Sequence, residues 1–310
     1  MRVLVTGAGG FVGRYLVATL MGAGHEVIAA SRNPLDLECE TISFDIRQAV
    51  NVKESIDATR PDAVIHLAAQ ASVPASWEDP NLTYRVNILG TSNLLEALRD
   101  HADVRVLLIG SAQEYGNTNR ESPLTEDHPL EPSSPYALSK VAQELIGKLY
   151  FSEFGRLVIM TRGFNHTGPG HGDEYAVGSF ASQIAEIKVG RREPKMNVGN
   201  LESIRDYVDV RDVADAYRLL IENGSPGEAY NVCSGEGRSI GEILKILIDA
   251  SGLDSQIQIE QDPTPRPGDP PMLVGDNTKI RSAVGWAPKI TLEQSLTDTL
   301  EERLDRLSKE

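Results

Sequence analysis

The chain is 310 residues long, 40% hydrophobic and 24% charged, enough for two domains or one large α/β unit with an appended lobe. A formal charge of −15 argues against nucleic acid or an anionic membrane as the main partner, so an anionic ligand would need its own local positive site. Two cysteines, Cys39 and Cys233, are too few for a disulfide framework or a zinc cluster. No apolar run is long enough for a membrane span and no secretion signal opens the chain, so the expected location is the cytoplasm.

In chain order, the pattern predicts strands at Arg2–Thr6, Glu26–Ala30, Thr41–Phe44, Ala63–Leu67, Val104–Ile109 and Leu157–Thr161. It predicts helices at Val12–Met21, Thr83–Leu98 and Tyr136–Phe154. Strands this apolar imply burial on both faces, hence an α/β fold with a doubly wound parallel sheet of Rossmann type. Beyond residue 165 the rhythm breaks. Asn165–Gly178 reads as a loop, and helices are expected at Phe180–Val189, Asp212–Glu222, Ile240–Ser251 and Leu292–Leu307. A strand is expected at Tyr230–Val232, and a Pro-rich stretch runs from Pro263 to Pro271. The expected division is a dinucleotide-binding domain over 1–165, completed by part of 207–235, and a smaller C-terminal α/β substrate lobe over most of 166–310.

The first strand runs into Gly7-Ala8-Gly9-Gly10-Phe11-Val12-Gly13 and then a helix. Glycines at 7, 10 and 13 would tighten the turn, admit a pyrophosphate to the backbone and pack the helix on the sheet, with Phe11 and Val12 at the helix N-terminus facing the anion. The second strand ends Ala29-Ala30-Ser31-Arg32, without the carboxylate that would bond the ribose 2′-OH of NAD. Ser31 and Arg32 instead suit a 2′-phosphate, so NADP(H) is expected to be preferred and NAD(H) remains possible; a surface arginine would look the same.

Tyr136 and Lys140 stand at i and i+4 on the long expected helix, so phenol and ammonium would share a face and Lys140 would lower the tyrosine pKa. Ser111 closes a buried strand at the carboxyl edge, where such folds place ligands, and its hydroxyl would bond a substrate oxygen beside Tyr136. No cluster has metal-ligand spacing, and no Ser-His-Asp order stands out.

Gly7–Gly13, His66-Leu67-Ala68-Ala69, Asn87 with Gly90-Thr91, Ser111 and the Tyr136/Lys140 pair together resemble the extended short-chain dehydrogenase/reductase family that acts on nucleotide sugars. Within it, Phe164–Gly170, Val198–Asp206 and Tyr230–Gly235 are most similar to the GDP-4-keto-6-deoxy-D-mannose reductases. The resemblance implies that Asp45 and Ile46 flank the adenine and that Leu67, Ala68 and Ala69 line the pyrophosphate and ribose. It puts Asn87, Phe164 and His166 by the nicotinamide, and Lys140 on its ribose. Asn165, Arg205 and Arg266 would hold the substrate diphosphate, Asp269 its ribose, and Val177 and Lys188 would border the base pocket. Related dehydratases place a glutamate base where Gln113 stands here. An amide cannot abstract the C5 proton, which leaves Gln113 as a substrate contact.

The expected activity is reduction of the 4-keto group of a nucleotide sugar by NADPH, with GDP-4-keto-6-deoxy-D-mannose giving GDP-D-rhamnose. The alternatives are a nucleotide-sugar 4-epimerase with retained NAD, a 4,6-dehydratase and a non-catalytic NADP sensor. The resemblance also implies a homodimer formed through the helices Thr83–Leu98 and Tyr136–Phe154.

Overall fold

The computed structural model describes residues 1–117, 123–253, 257–262 and 270–309. Strands β1 (Arg2–Thr6), β2 (Glu26–Ser31), β3 (Glu40–Ser43), β4 (Ala63–His66), β5 (Arg105–Ser111) and β6 (Leu157–Gly163) follow the apolar runs of the sequence. They form a seven-stranded sheet with β10 (Ala229–Val232) in the order β10-β6-β5-β4-β1-β2-β3, and every pairing in it is parallel. The sheet reverses its winding between β1 and β4, the switch point where ligands of such folds bind.

Side chains alternate across this sheet, so both faces are apolar. Val3, Val5, Ile65 and Leu107 pack with α1 (Phe11–Gly22) and α8 (Val210–Asn223) on one face. Leu4, Val64, Val106 and Leu108 pack on the other with α2 (Ala49–Thr59), α5 (Gly90–Ala97) and α6 (Pro135–Phe154). Helix α6 starts where Ser134 accepts the Ala137 N–H with Pro135 in its first turn, and stops at Gly155 in the left-handed region.

The single helix expected over Thr83–Leu98 is three pieces: α4 (Pro80–Tyr84), a π turn at Arg85–Leu89 and α5. Short α3 (Val73–Glu78) precedes them. The π turn rotates Asn87 into the interior, where it is fully buried.

Strand β7 (Asn165–Thr167) opens the segment expected to be a loop, and α7 (Ala176–Lys188) begins inside it. Strands β9 (Ile204–Asp209), β11 (Gly237–Ser239) and β13 (Met272–Leu273) form a second sheet with β7, and β8 (Lys195–Val198) pairs with β12 (Gln258–Gln261). A separate core joins α7, α9 (Ile240–Ser251) and α11 (Leu292–Ser308) through Val177, Ile184, Leu247 and Leu296. The short helix α10 (Thr278–Val284) brings Ile280 to the first core.

Candidate active site

The carboxyl edge of the parallel sheet opens into a continuous cleft of about 2330 Å³, larger than a pocket for one drug-sized ligand. It runs from the glycine turn to the second sheet. Gly7 has φ +73°, and a Cβ there would lie 2.7 Å from the Ala68 nitrogen; one on Gly13 would lie 2.6 Å from the Gly7 and Ala8 carbonyls. The turn is therefore a bare backbone cradle at a helix N-terminus, suited to the diphosphate of a dinucleotide. Gly10, Phe11, Val12, Ser31, Arg32, Asp45, Ile46, Leu67, Ala68 and Ala69 all line the same end of the cleft. Loop 168–175 closes over this end: Tyr15 donates to the Pro169 carbonyl at 2.8 Å, and His171 sits between the Phe11 and Tyr175 rings.

Ser111, Tyr136 and Lys140 line the cleft together with Gln113, Phe164, Asn165, His166 and Arg205. Tyr136 is held at the start of α6, where its N–H donates to Ser76 Oγ at 3.1 Å. Burial raises the phenol above its ordinary pKa, opposed by a hydrogen bond with Ser111, so Tyr136 stays protonated at neutral pH. The expected lowering by Lys140 is corrected here. The Lys140 ammonium donates instead to the Ile109 carbonyl at 2.7 Å and to Gln143 Oε1 at 3.0 Å. Burial moves Lys140 itself down to about 8, with Glu114 acting the other way. These bonds use two of its three N–H groups and leave one for a ligand hydroxyl.

Asn87, expected near the nicotinamide, does not line the cleft. Its amide accepts the Gln70 N–H at 2.8 Å and donates to the Gln70 carbonyl and Ser139 Oγ at 3.0 and 2.9 Å. It thus ties the loop after Ala69 to the first turns of α6. A second chain runs beside it. Thr91 gives its hydroxyl proton to the Asn87 carbonyl at 2.7 Å, so His66 Nε2 must donate to Thr91, and His66 Nδ1 accepts from Thr6. Sequence reasoning assigned no role to Thr6 or Ser76, whose hydroxyls carry no motif of their own, and named Thr91 only as part of the Gly90-Thr91 motif.

Val177 is fully buried in the core of α7, and Lys188 donates to the Ser251 carbonyl at 2.9 Å. Neither reaches the cleft, because helical periodicity turns Ala176, Ser179 and Phe180 toward it instead. Arg266 and Asp269 lie outside the described residues. Gln113 Oε1, Gln70 Oε1 and His171 Nδ1 are buried without a hydrogen-bond partner among the described residues, and all three residues line the cleft. Such orphaned polar atoms are costly unless a ligand satisfies them. Among the described residues no group of His, Cys, Asp and Glu could hold a metal, and no helix is long and apolar enough to cross a membrane.

The parallel sheet, its glycine cradle and the Ser111/Tyr136/Lys140 group define an extended short-chain dehydrogenase/reductase architecture. The chain belongs to the GDP-mannose 4,6 dehydratase family, whose model matches residues 4–299. It is 36% identical to the GDP-6-deoxy-D-mannose reductase of Pseudomonas aeruginosa, over 100% of this chain and 99% of that protein. The structure of RMD from the same organism complexed with NADPH superposes with a TM-score of 0.88 at 35% identity, covering 98% of this chain and 99% of that one. The Thermus thermophilus UDP-glucose 4-epimerase in complex with NAD also superposes at 0.88, with 32% identity and coverage of 98% and 99%.

Proposed function

We propose that this chain is an NADPH-dependent reductase of the 4-keto group of a nucleoside-diphosphate sugar, converting GDP-4-keto-6-deoxy-D-mannose to GDP-D-rhamnose. The observation that carries this reading is Tyr136 beside Ser111 at the sheet edge, with Gln113 lining the cleft and Glu114 of the same turn not lining it. When bound, the nicotinamide supplies a hydride to the sugar carbonyl carbon. Tyr136 Oη holds the proton that the developing alkoxide takes, and Ser111 Oγ hydrogen-bonds the same oxygen. Lys140 keeps one N–H for a ribose hydroxyl of the dinucleotide. Arg205 and Asn165 offer a cation and an amide to the substrate diphosphate, the local positive site that an acidic chain requires.

In this reading 1–165 with part of 207–235 carries the dinucleotide, and most of 166–310 carries the nucleotide sugar. The working form is a cytoplasmic homodimer. What supports pairing is the exposed apolar row Leu138, Leu145 and Leu149 on α6, with Leu89 on the neighbouring π turn.

The test is stoichiometric. Purified protein given GDP-4-keto-6-deoxy-D-mannose should oxidise one NADPH per sugar, and given UDP-glucose alone it should make no UDP-galactose. Tightly retained NAD with interconversion of UDP-hexoses would replace the reductase with an epimerase.

A further inference from the structure

The ends of β2 and β3 are stitched at the rim of the cleft. Phe44 N–H donates to the Ser31 carbonyl at 3.1 Å, and Ser43 Oγ donates to the Arg32 carbonyl at 2.9 Å. This brings Arg32, Asp45 and Arg47 to one corner, with Arg14 of the first turn of α1 lining the same cleft. Asp45 is the single carboxylate among the lining residues drawn from positions 6–18, 30–32 and 44–47.

That carboxylate is not free. Arg47 Nε donates to both of its oxygens at 2.9 and 3.0 Å, Nη2 donates to Oδ2 at 2.5 Å, and the Arg47 backbone N–H donates to Oδ1 at 3.0 Å. The side chains are only partly exposed, 32% for Arg47 and 23% for Asp45. The Arg47 hydrogen bonds hold the Asp45 carboxyl below the usual range, and the Arg32 charge acts in the same direction.

A bare carboxylate at this corner would oppose any phosphate dianion brought to Arg32, and would itself compete for that guanidinium. A bidentate arginine removes both effects, since the pair presents no net charge. We propose that Arg47 is a second determinant of preference for the 2′-phosphorylated dinucleotide, acting through Asp45 as a positioning residue that neutralises it. The proposal rests on the reading that Arg32 receives the 2′-phosphate. Arg47 occupies the Asp45 carboxylate, so that Arg32 can serve the phosphate.

The experiment is a double-mutant cycle on the full chain, with Arg47→Ala, Asp45→Asn and the pair. Dissociation constants for NADPH and NADH are read from nicotinamide fluorescence, and kcat/KM is read with each cofactor. Arg47→Ala should weaken NADPH by roughly 10–100-fold and leave NADH within about 3-fold. Adding Asp45→Asn should restore most of the NADPH affinity, because the charge that Arg47 masks is then gone. Equal losses for both cofactors, or no recovery in the double variant, would overturn the proposal. Arg32→Ala is run in parallel. If it leaves selectivity unchanged while the cycle behaves as expected, the Arg32 reading fails and the Arg47–Asp45 coupling stands. An NADPH-specific loss at Arg32 with no response at Arg47 sinks the coupling alone.

Discussion

Glu114 turns its carboxyl away from the cleft and accepts the backbone N–H of Ser111 at 2.7 Å. The acid next to Gln113 thus supports the serine from behind, fully buried, and Ser111 Oγ in turn accepts the Gln113 N–H at 3.2 Å. The arrangement needs Gly110, where a Cβ would lie 2.4 Å from Glu114 Oε1. A short 3-10 turn, Ala112–Tyr115, makes the reversal. It leaves the one carboxylate within a residue of the dehydratase position directed at the Ser111 backbone and not at the cleft.

Burial pushes the Glu114 carboxyl up to about 8, and the Glu144 charge adds to the rise. The folded chain therefore keeps a proton that the unfolded chain releases near pH 4.5. Stability from this group declines as pH rises between those values. Glu114→Gln should flatten that decline, leaving urea midpoints near pH 5 almost unchanged and raising them at pH 8. A variant less stable than the parent at pH 8 would show that the carboxyl is ionised in the fold.

Tyr136→Phe removes the proton donor and should lower kcat by about 10²–10⁴, while the dissociation constant of NADPH stays within a few-fold. The phenol is 8% exposed, so the packing lost is one oxygen. Turnover close to the parent's would remove Tyr136 from the proton path.

His66 and His171 are buried, and burial lowers their pKa to about 3 and about 4. Both stay neutral in the fold where the unfolded chain protonates, so their contribution falls as pH drops from about 6.5 toward 4, by about 1.4 kcal/mol per pH unit for each group. Glu114 works oppositely above about pH 4.5. In a Glu114→Gln background, denaturation at pH 5 and pH 7 should show the acid loss more steeply than in the parent. Equal stabilities at the two pH values would mean that the imidazoles reach solvent.

Leu145 and Leu149 are 56% and 51% exposed on successive turns of α6. Leu145→Glu with Leu149→Lys should convert a dimer to a monomer in sedimentation at micromolar concentration, with little change in monomer circular dichroism. Parent protein that sediments as a monomer would refute pairing through this face.

Much of this was legible in sequence because the parallel sheet writes itself as apolar runs and the glycine turn as spacing. The strands of the first half and helix α6 were read to within a few residues, and Ser111, Tyr136 and Lys140 do meet in one cleft. Side-chain direction was not legible. The i, i+4 rule put Lys140 near Tyr136, but the nearby Ile109 carbonyl and Gln143 amide captured the ammonium. Asn87 looked like a ligand contact because no sequence rule announces a π turn. Val177 and Lys188 sit on helix faces whose phase depends on the packing of α7, α9 and α11. The short strands β8, β9 and β11 escaped notice because they are three to six residues long and mixed in polarity.

The place of β10 at the border of the main sheet bears on how the polypeptide is made. β6 pairs with β5 on one side and with Ala229–Val232 on the other, so its outer hydrogen bonds wait for residues that emerge roughly 65 positions later. At about 5–20 residues per second, translation leaves that edge bare for several seconds, a span in which an unpaired apolar strand can recruit another chain. A nascent fragment ending near Asn165 should therefore be a client for chaperones, and the same fragment expressed alone should aggregate. Trimming the gene after the last obvious βα repeat would remove the strand that closes the sheet.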